Sequence, residues 1–148
     1  MIGRAALAAL FLTGASGCAS TRPPAPPDPD FSCVLTHPST SVGSLKQLPT
    51  PIRKALNDLV GEMADRGEFF NNGDVVTKPA PFARFIRGGQ IGENWYVWHE
   101  HGGIAYWLQI VLFGSDPSGT AHVTAMAHIA QAGQLCTETD RLLDNLHR

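Results

Sequence analysis

The sequence predicts an α+β fold, a two-layer sandwich with an N-terminal helix, a four-stranded antiparallel meander and a short C-terminal helix. Three observations predict it. Apolar residues recur at helical spacing after Thr50-Pro51, apolar and polar residues alternate from about residue 82, and helical spacing returns near the C-terminus. The chain of 148 residues has room for one modest core.

The first helix is predicted to begin at Thr50-Pro51, because threonine can cap free N–H groups and proline suits the first helical turn. Gly67 stands where a C-terminal cap belongs. The apolar stripe between them consists of Ile52, Ala55, Leu56, Leu59, Val60 and Met63. A second helix is predicted from about 137 to 147. Thr137 is its predicted N-terminal cap, and its apolar side consists of Leu142, Leu143 and Leu146.

The strands are predicted from a period of two and from the turn residues between them. They lie near 82–90, 94–101, 104–113 and 120–130. Short connections favour antiparallel neighbours. Either Gly88-Gly89 or Gly92-Glu93 makes the first turn, and Gly102-Gly103 is predicted as a two-residue hairpin turn that pairs His101 with Ile104.

This register divides the segment NWYVWHEHGGIAYW, residues 94–107, between the two faces of the sheet. His99 and His101 fall on the face expected beneath the helices. The other face, the predicted aromatic face, consists of Tyr96, Trp98, Glu100, Trp107, Gln109, Met126 and His128. Aromatic residues and methionine with few charges are typical of partner-binding surfaces. The alternative is that the chain's own loop, 67–81, or its proline-rich segment covers this face.

Two pairs of residues offer a chemical function instead. Glu100 and His128 would approach each other across Ala105, and a carboxylate that orients an imidazole is a general-base arrangement, although no nucleophile accompanies it. His99 and His101 form a His-x-His pair, which can bind zinc or copper once a third ligand is supplied. The alternative is a pair of imidazoles at the rim of the core. No cofactor is predicted.

Residues 1–17 are predicted to be a signal peptide, because the apolar run at residues 5–12 suits secretion and is too short to span a bilayer. The segment Ala15-Ser16-Gly17-Cys18 resembles the lipobox of bacterial lipoproteins, with Ala15 where that family usually has leucine. The resemblance implies that Cys18 carries acyl chains (palmitate among them), which anchor a protein stably when several are present. Because Ala19 follows Cys18, we expect the outer membrane, facing the periplasm. The alternative is a secreted protein, since Ala15 and Gly17 also suit ordinary signal peptidase.

Residues 18–30 comprise Cys18 and a proline-rich stretch that is predicted to be a semi-rigid tether. A single α+β domain is expected over 31–148. Cys33 and Cys136 lie near its two ends, and an exported protein matures in an oxidising compartment, so a disulfide is predicted between them. Closing a loop of about a hundred residues contributes roughly 4–5 kcal/mol in chain-entropy theory.

The formal net charge is −2 and no cluster of Lys and Arg is present, which excludes a nucleic-acid partner. The sequence therefore predicts an envelope-anchored, noncatalytic binding or accessory lipoprotein. Its partners would be the membrane, through the lipid anchor, and an envelope protein or ligand on the aromatic face. The alternative is a small periplasmic enzyme or metal-binding protein that uses Glu100 and His128, or His99 and His101.

Overall fold

The first helix, α1, spans Thr50–Val60 in the computed structural model, which describes residues 25–29, 33–76 and 79–148. Gly61, with a φ of 84°, ends the helix and donates its N–H to the carbonyl of Asn57. The prediction that α1 continues to a cap at Gly67 is therefore wrong, because the glycine at 61 takes the positive φ that stops a helix. The predicted signal peptide and Cys18 lie outside the described residues.

Among the described residues, six strands form one sheet. They are β1 Thr40–Val42, β2 Met63–Ala64, β3 Ala83–Ile91, β4 Asn94–His101, β5 Trp107–Ser115 and β6 Ala121–Ile129. The order is β1-β3-β4-β5-β6, all antiparallel, and β2 pairs in parallel with the start of β3. The predicted meander, β3 to β6, is confirmed. β1 and β2 were not predicted, because two or three residues carry too little periodicity.

The turn between β3 and β4 is Gly92-Glu93, where Gly92 has a φ of 57°. Gly88 and Gly89 lie inside β3 instead. A Cβ on Gly89 would come within 2.0 Å of the Thr40 carbonyl oxygen and 2.7 Å of the Tyr96 ring. Gly89 therefore allows β1 and an aromatic ring to approach the backbone closely.

The second helix, α2, spans Leu135–Leu146. A disulfide joins Cys136 in its first turn to Cys33, with a Cα–Cα distance of 5.9 Å, which confirms the predicted bond. Within the described part of the chain, no helix has the length and apolar character needed to cross a bilayer.

The α+β sandwich and its order of elements are confirmed, but the helices, expected on one face, lie on opposite faces of the sheet. On the α1 face the core consists of Leu48, Ile52, Leu56, Phe85, Val97, Val111 and Phe113. On the α2 face it includes Tyr96, Trp98, Ile110, Leu112, Leu135, Leu142 and Leu143. Successive strand residues point to opposite faces, so Val97 contacts the α1 layer and Trp98 the α2 layer. Strands that are apolar on both sides need cover on both sides.

Candidate functional site

The loop between β4 and β5 sets the register of the central hairpin. Five residues, 102–106, connect the strands, so His101 lies opposite Trp107 instead of Ile104. The predicted two-residue turn is wrong for a physical reason. Such a turn usually needs a positive φ at both central residues, and only Gly103 has one. Gly102 instead donates its N–H to the Phe82 carbonyl and lies so close to Asn71 that a Cβ would come within 2.1 Å of its carbonyl oxygen.

The register differs from the predicted one by three residues, an odd number, which moves every β5 side chain to the other face. The next hairpin pairs Ser115 with Ala121 and Phe113 with Val123, and a bulge in β6 beyond Val123 shifts the remaining pairs, so that Leu112 lies opposite Ala125. The predicted aromatic face is consequently divided. Tyr96, Trp98 and Glu100 lie on the α2 face, whereas Trp107, Gln109, Met126 and His128 lie on the α1 face.

Tyr96 and Trp98 are core residues and not a binding surface. Both are buried against α2, with their rings 5.3 Å apart. The indole N–H of Trp98 donates to the hydroxyl of Thr139 at 2.9 Å. Burial raises the pKa of Tyr96, and the nearby charge of Arg87 opposes that shift. These residues hold α2 on the sheet.

Glu100 belongs to a buried polar network on the α2 face. The Nε of Arg84 donates to Oε1 of Glu100 at 2.6 Å, and the hydroxyl of Tyr106 donates to Oε2 at 2.8 Å. The guanidinium also lies over the ring of Phe70, 4.7 Å from its centroid. Burial, together with this hydrogen bond and the charge of Glu100, raises the pKa of Tyr106. The predicted Glu100–His128 pair is wrong, because its members lie on opposite faces.

The same arginine binds part of the segment predicted as a tether. Its terminal nitrogens donate to the carbonyl oxygens of Pro26, at 2.6 Å, and Pro27, at 3.0 Å. Asp28 accepts a hydrogen bond from Nε of Arg66 at 2.8 Å and lies 3.6 Å from Arg84. Residues 26–28 are thus attached to the domain.

Four residues of the predicted aromatic face lie near His101, one of the two metal candidates, on the α1 face. None of them belongs to the core that packs against α1. This indole–imidazole patch consists of His101, Trp107, Gln109, Met126 and His128. The His101 and Trp107 rings stack at 4.3 Å, and Trp107 lies 5.8 Å from His128. The amide of Gln109 donates to the Met126 sulfur at 3.6 Å. Met126 is 46% exposed and His128 is exposed, whereas His101 and Trp107 are half-buried and Gln109 is buried, so the β6 side of the patch faces solvent.

His99 lies beneath this patch, opposite Gln109 in the sheet, and is fully buried. Among the described residues, neither of its ring nitrogens has a hydrogen-bond partner, and the indole nitrogen of Trp107 also lacks one. Burial lowers the pKa of His99 to about 4, and the nearby His101 and His128 act in the same direction. His99 is therefore neutral at pH 7.

The structure brings His99, His101 and His128 to one face, which the predicted register did not. Across residues 25–29, 33–76 and 79–148, however, no three His, Cys, Asp or Glu side chains are close enough to hold a metal ion.

β6 is the last strand of the sheet, and no other strand in the part of the chain that the structure describes pairs with its outer edge. Its nine residues, AHVTAMAHI, contain no proline and no Asp, Glu, Lys or Arg. Edge strands are usually protected by such residues, because free N–H and C=O groups pair readily with another chain. The bulge at the middle of β6 is the one such device present in this strand.

Sequence reasoning missed Arg84. A signal was available, because a single Arg stands in the apolar run Ala83-Arg84-Phe85-Ile86 of a predicted strand. A charge in such a run requires a buried partner. Sequence alone offered no means of choosing Glu100 or the proline carbonyls as that partner.

No protein-family model matches the chain, and no curated protein or solved structure is significantly similar to it.

Proposed function

We propose that this protein is an exported, lipid-anchored, noncatalytic binding module of the cell envelope, which presents the indole–imidazole patch and the free edge of β6 to a partner protein. The lipobox-like segment ending at Cys18 supports export and anchoring. The outer membrane, facing the periplasm, is the proposed location.

The observation that carries the binding role is the coincidence of two features on one strand. β6 contributes Met126 and His128 to the patch, and the outer edge of the same strand pairs with no other described strand. An extended segment of a partner that adds to β6 would gain main-chain hydrogen bonds. It would also lay alternate side chains beside Trp107 and Met126.

The partner favoured by this chemistry is an uncharged, extended stretch of an envelope protein with apolar side chains on one face. The patch offers an indole, a thioether, an amide and two imidazoles, but its five residues include no carboxylate or ammonium group for an ion pair. Aromatic residues and methionine supply much of the contact energy in protein interfaces.

A catalytic role has less support, because the general-base pair that the sequence suggested is divided between two faces. The carboxylate of Glu100 is engaged by Arg84 and Tyr106. His128 has Trp107 as its ring neighbour and lies opposite Gln109, not a carboxylate, in the sheet.

The binding role can be tested by site-specific photo-crosslinking in the native envelope. With a photo-reactive side chain at position 128, we expect one prominent adduct, which Met126→Lys abolishes by placing a charge in the patch. Val34→Lys is the matched control, since Val34 is 85% exposed and lies outside the patch. Equal adduct yields in Met126→Lys and Val34→Lys, both folded, would rule out this surface.

The anchor is tested separately by labelling cells with radioactive palmitate. We expect label on the wild-type chain and none on Cys18→Ser, with wild-type protein in the outer-membrane fraction. A wild-type protein that is unlabelled and freely released would rule out the anchor and favour a secreted protein.

A further inference from the structure

Three apolar side chains are exposed together at one end of the sheet. Ile104, in the loop between β4 and β5, is 98% exposed, Tyr106 in the same loop is 50% exposed and Phe82 is 40% exposed. Phe82 belongs to this end because its carbonyl accepts the N–H of Gly102 and its ring lies within 3.7 Å of a Cβ placed on Gly103. The loop sequence, GGIAY, carries no charge. We call these three side chains and their loop the apolar tip.

The segment that leads toward Cys18 is bound next to this tip. Arg84, which holds the carbonyls of Pro26 and Pro27, directly follows Ala83, the residue opposite His101 at the end of β4. The network continues through Glu100 to the hydroxyl of Tyr106. One set of hydrogen bonds thus joins the N-terminal segment to a residue of the tip.

The length of chain before this attachment limits how far the domain can lie from the anchor. Seven peptide links join Cys18 to Ala25, the residue before the first attached proline, and seven fully extended residues span at most about 25 Å. If Cys18 is anchored in a bilayer, the end of the domain that carries the apolar tip cannot be far from its surface.

We propose that the apolar tip contacts the surface of the bilayer in which Cys18 is anchored, with Ile104 inserted among the lipids. This inference rests on the proposed lipid anchor. A lipid surface suits the tip because an aliphatic side chain with almost no protein contact gains by leaving water, whereas a half-exposed tyrosine suits the interface. Because the loop carries no charge, its insertion avoids the cost of desolvating an ion.

The orientation has a consequence for the binding surface. With the tip at the membrane, β4 and β5 stand away from the bilayer. The turn at Gly92-Glu93, at the other end of β4, then lies up to about 25 Å further out. The outer edge of β6 runs from the end near the membrane to the end that carries the Gly92-Glu93 turn. It is therefore accessible to a partner protein beside the anchor.

The test uses the full-length, lipidated protein in vesicles of phosphatidylethanolamine and phosphatidylglycerol. An environment-sensitive fluorophore is attached to Ile104→Cys or, as the matched control, to Glu93→Cys in the exposed turn at the far end of β4. Quenchers are spin labels on the lipid acyl chains. We expect severalfold stronger quenching at position 104 than at position 93.

Vesicle flotation separates the possible failures. Protein that floats with the vesicles while both probes stay unquenched would overturn the proposed tip contact and leave the anchor intact. Equal quenching at both positions would also overturn it, because the contact would not be confined to the tip. Wild-type protein that does not float would overturn the anchor itself, and with it this inference. Flotation with quenching restricted to position 104 would establish the contact.

Discussion

The two faces of the sheet differ in whether particular buried polar side chains have hydrogen-bond partners. On the α2 face, Arg84 and Glu100 form an ion pair that Tyr106 and two proline carbonyls complete, and Trp98 donates to Thr139. On the α1 face, both nitrogens of His99 and the indole nitrogen of Trp107 have no partner within the described ranges of the chain. A buried polar group without a hydrogen bond costs about 1–3 kcal/mol.

The difference indicates what each face contributes. The α2 face unites helix, disulfide and N-terminal segment, and Arg84, Glu100 and Tyr106 are hydrogen-bonded to one another there, so it serves the integrity of the fold. The α1 face is covered by α1 over only part of its area, and the remainder leaves hydrogen-bonding capacity unused next to an open strand edge. Three perturbations, ordered from the largest expected effect to the smallest, test this contrast.

Arg84→Met should have the largest effect, a loss of about 3–5 kcal/mol in the free energy of unfolding, because it leaves the Glu100 carboxylate buried without its cation. Urea denaturation measures it. Arg141→Met is the matched control, since Arg141 makes an exposed ion pair with Glu138, and it should leave the midpoint unchanged. If the lone carboxylate is the cause, the double variant Arg84→Met/Glu100→Leu recovers most of the loss. A double variant as unstable as Arg84→Met would contradict this explanation.

Lowering the pH should reduce the free energy of unfolding through His99 on the α1 face. Its pKa is about 4 in the folded protein and near 6.5 in the unfolded chain, so the unfolded state binds the proton first as the pH falls. Stability from this group is complete above pH 6.5 and declines between pH 6.5 and 4, by roughly 3 kcal/mol in total. The measurement is the unfolding free energy of wild type and His99→Leu at several pH values. Parallel curves for the two proteins would show that His99 is not the group responsible.

The smallest effect is expected from a matched pair of tryptophan substitutions. Trp98→Phe removes a satisfied N–H and part of a tightly packed ring, which should cost about 1–3 kcal/mol. Trp107→Phe removes an N–H that has no partner among the described residues and keeps a ring that can stack on His101, so its effect should lie within about 0.5 kcal/mol of zero. Thermal or urea unfolding of the two variants measures these changes in stability. Equal losses would mean that the two faces do not differ in this respect.

Periodicity predicted the fold well where segments are long. The α1 stripe at Ile52 and Leu56, the four long strands and the leucines of α2 all appear in the sequence at the spacing that the structure uses. The disulfide was predicted from the cysteine count together with the predicted export. Each of these depends on local pattern or on composition, which the sequence displays directly.

The candidate site was predicted only in part, because it depends on register. Trp107, Gln109, Met126 and His128 were grouped correctly with one another, but were placed beside Tyr96, Trp98 and Glu100, which lie on the other face. The error came from Gly102, whose role is set by Asn71 and Phe82, residues that are about twenty to thirty positions away in the chain. A rule that uses only the residues of the turn cannot predict a contact with such distant residues.

By itself the sequence determined the α+β class, the order of helices and strands and the disulfide, because these follow from spacing and residue type along the chain. The tertiary structure decided which face each side chain occupies, where Arg84 finds its partners and that the two helices lie on opposite sides. Those outcomes depend on contacts between distant segments, and in a sheet with a side-chain period of two a single odd shift of register reverses an entire strand.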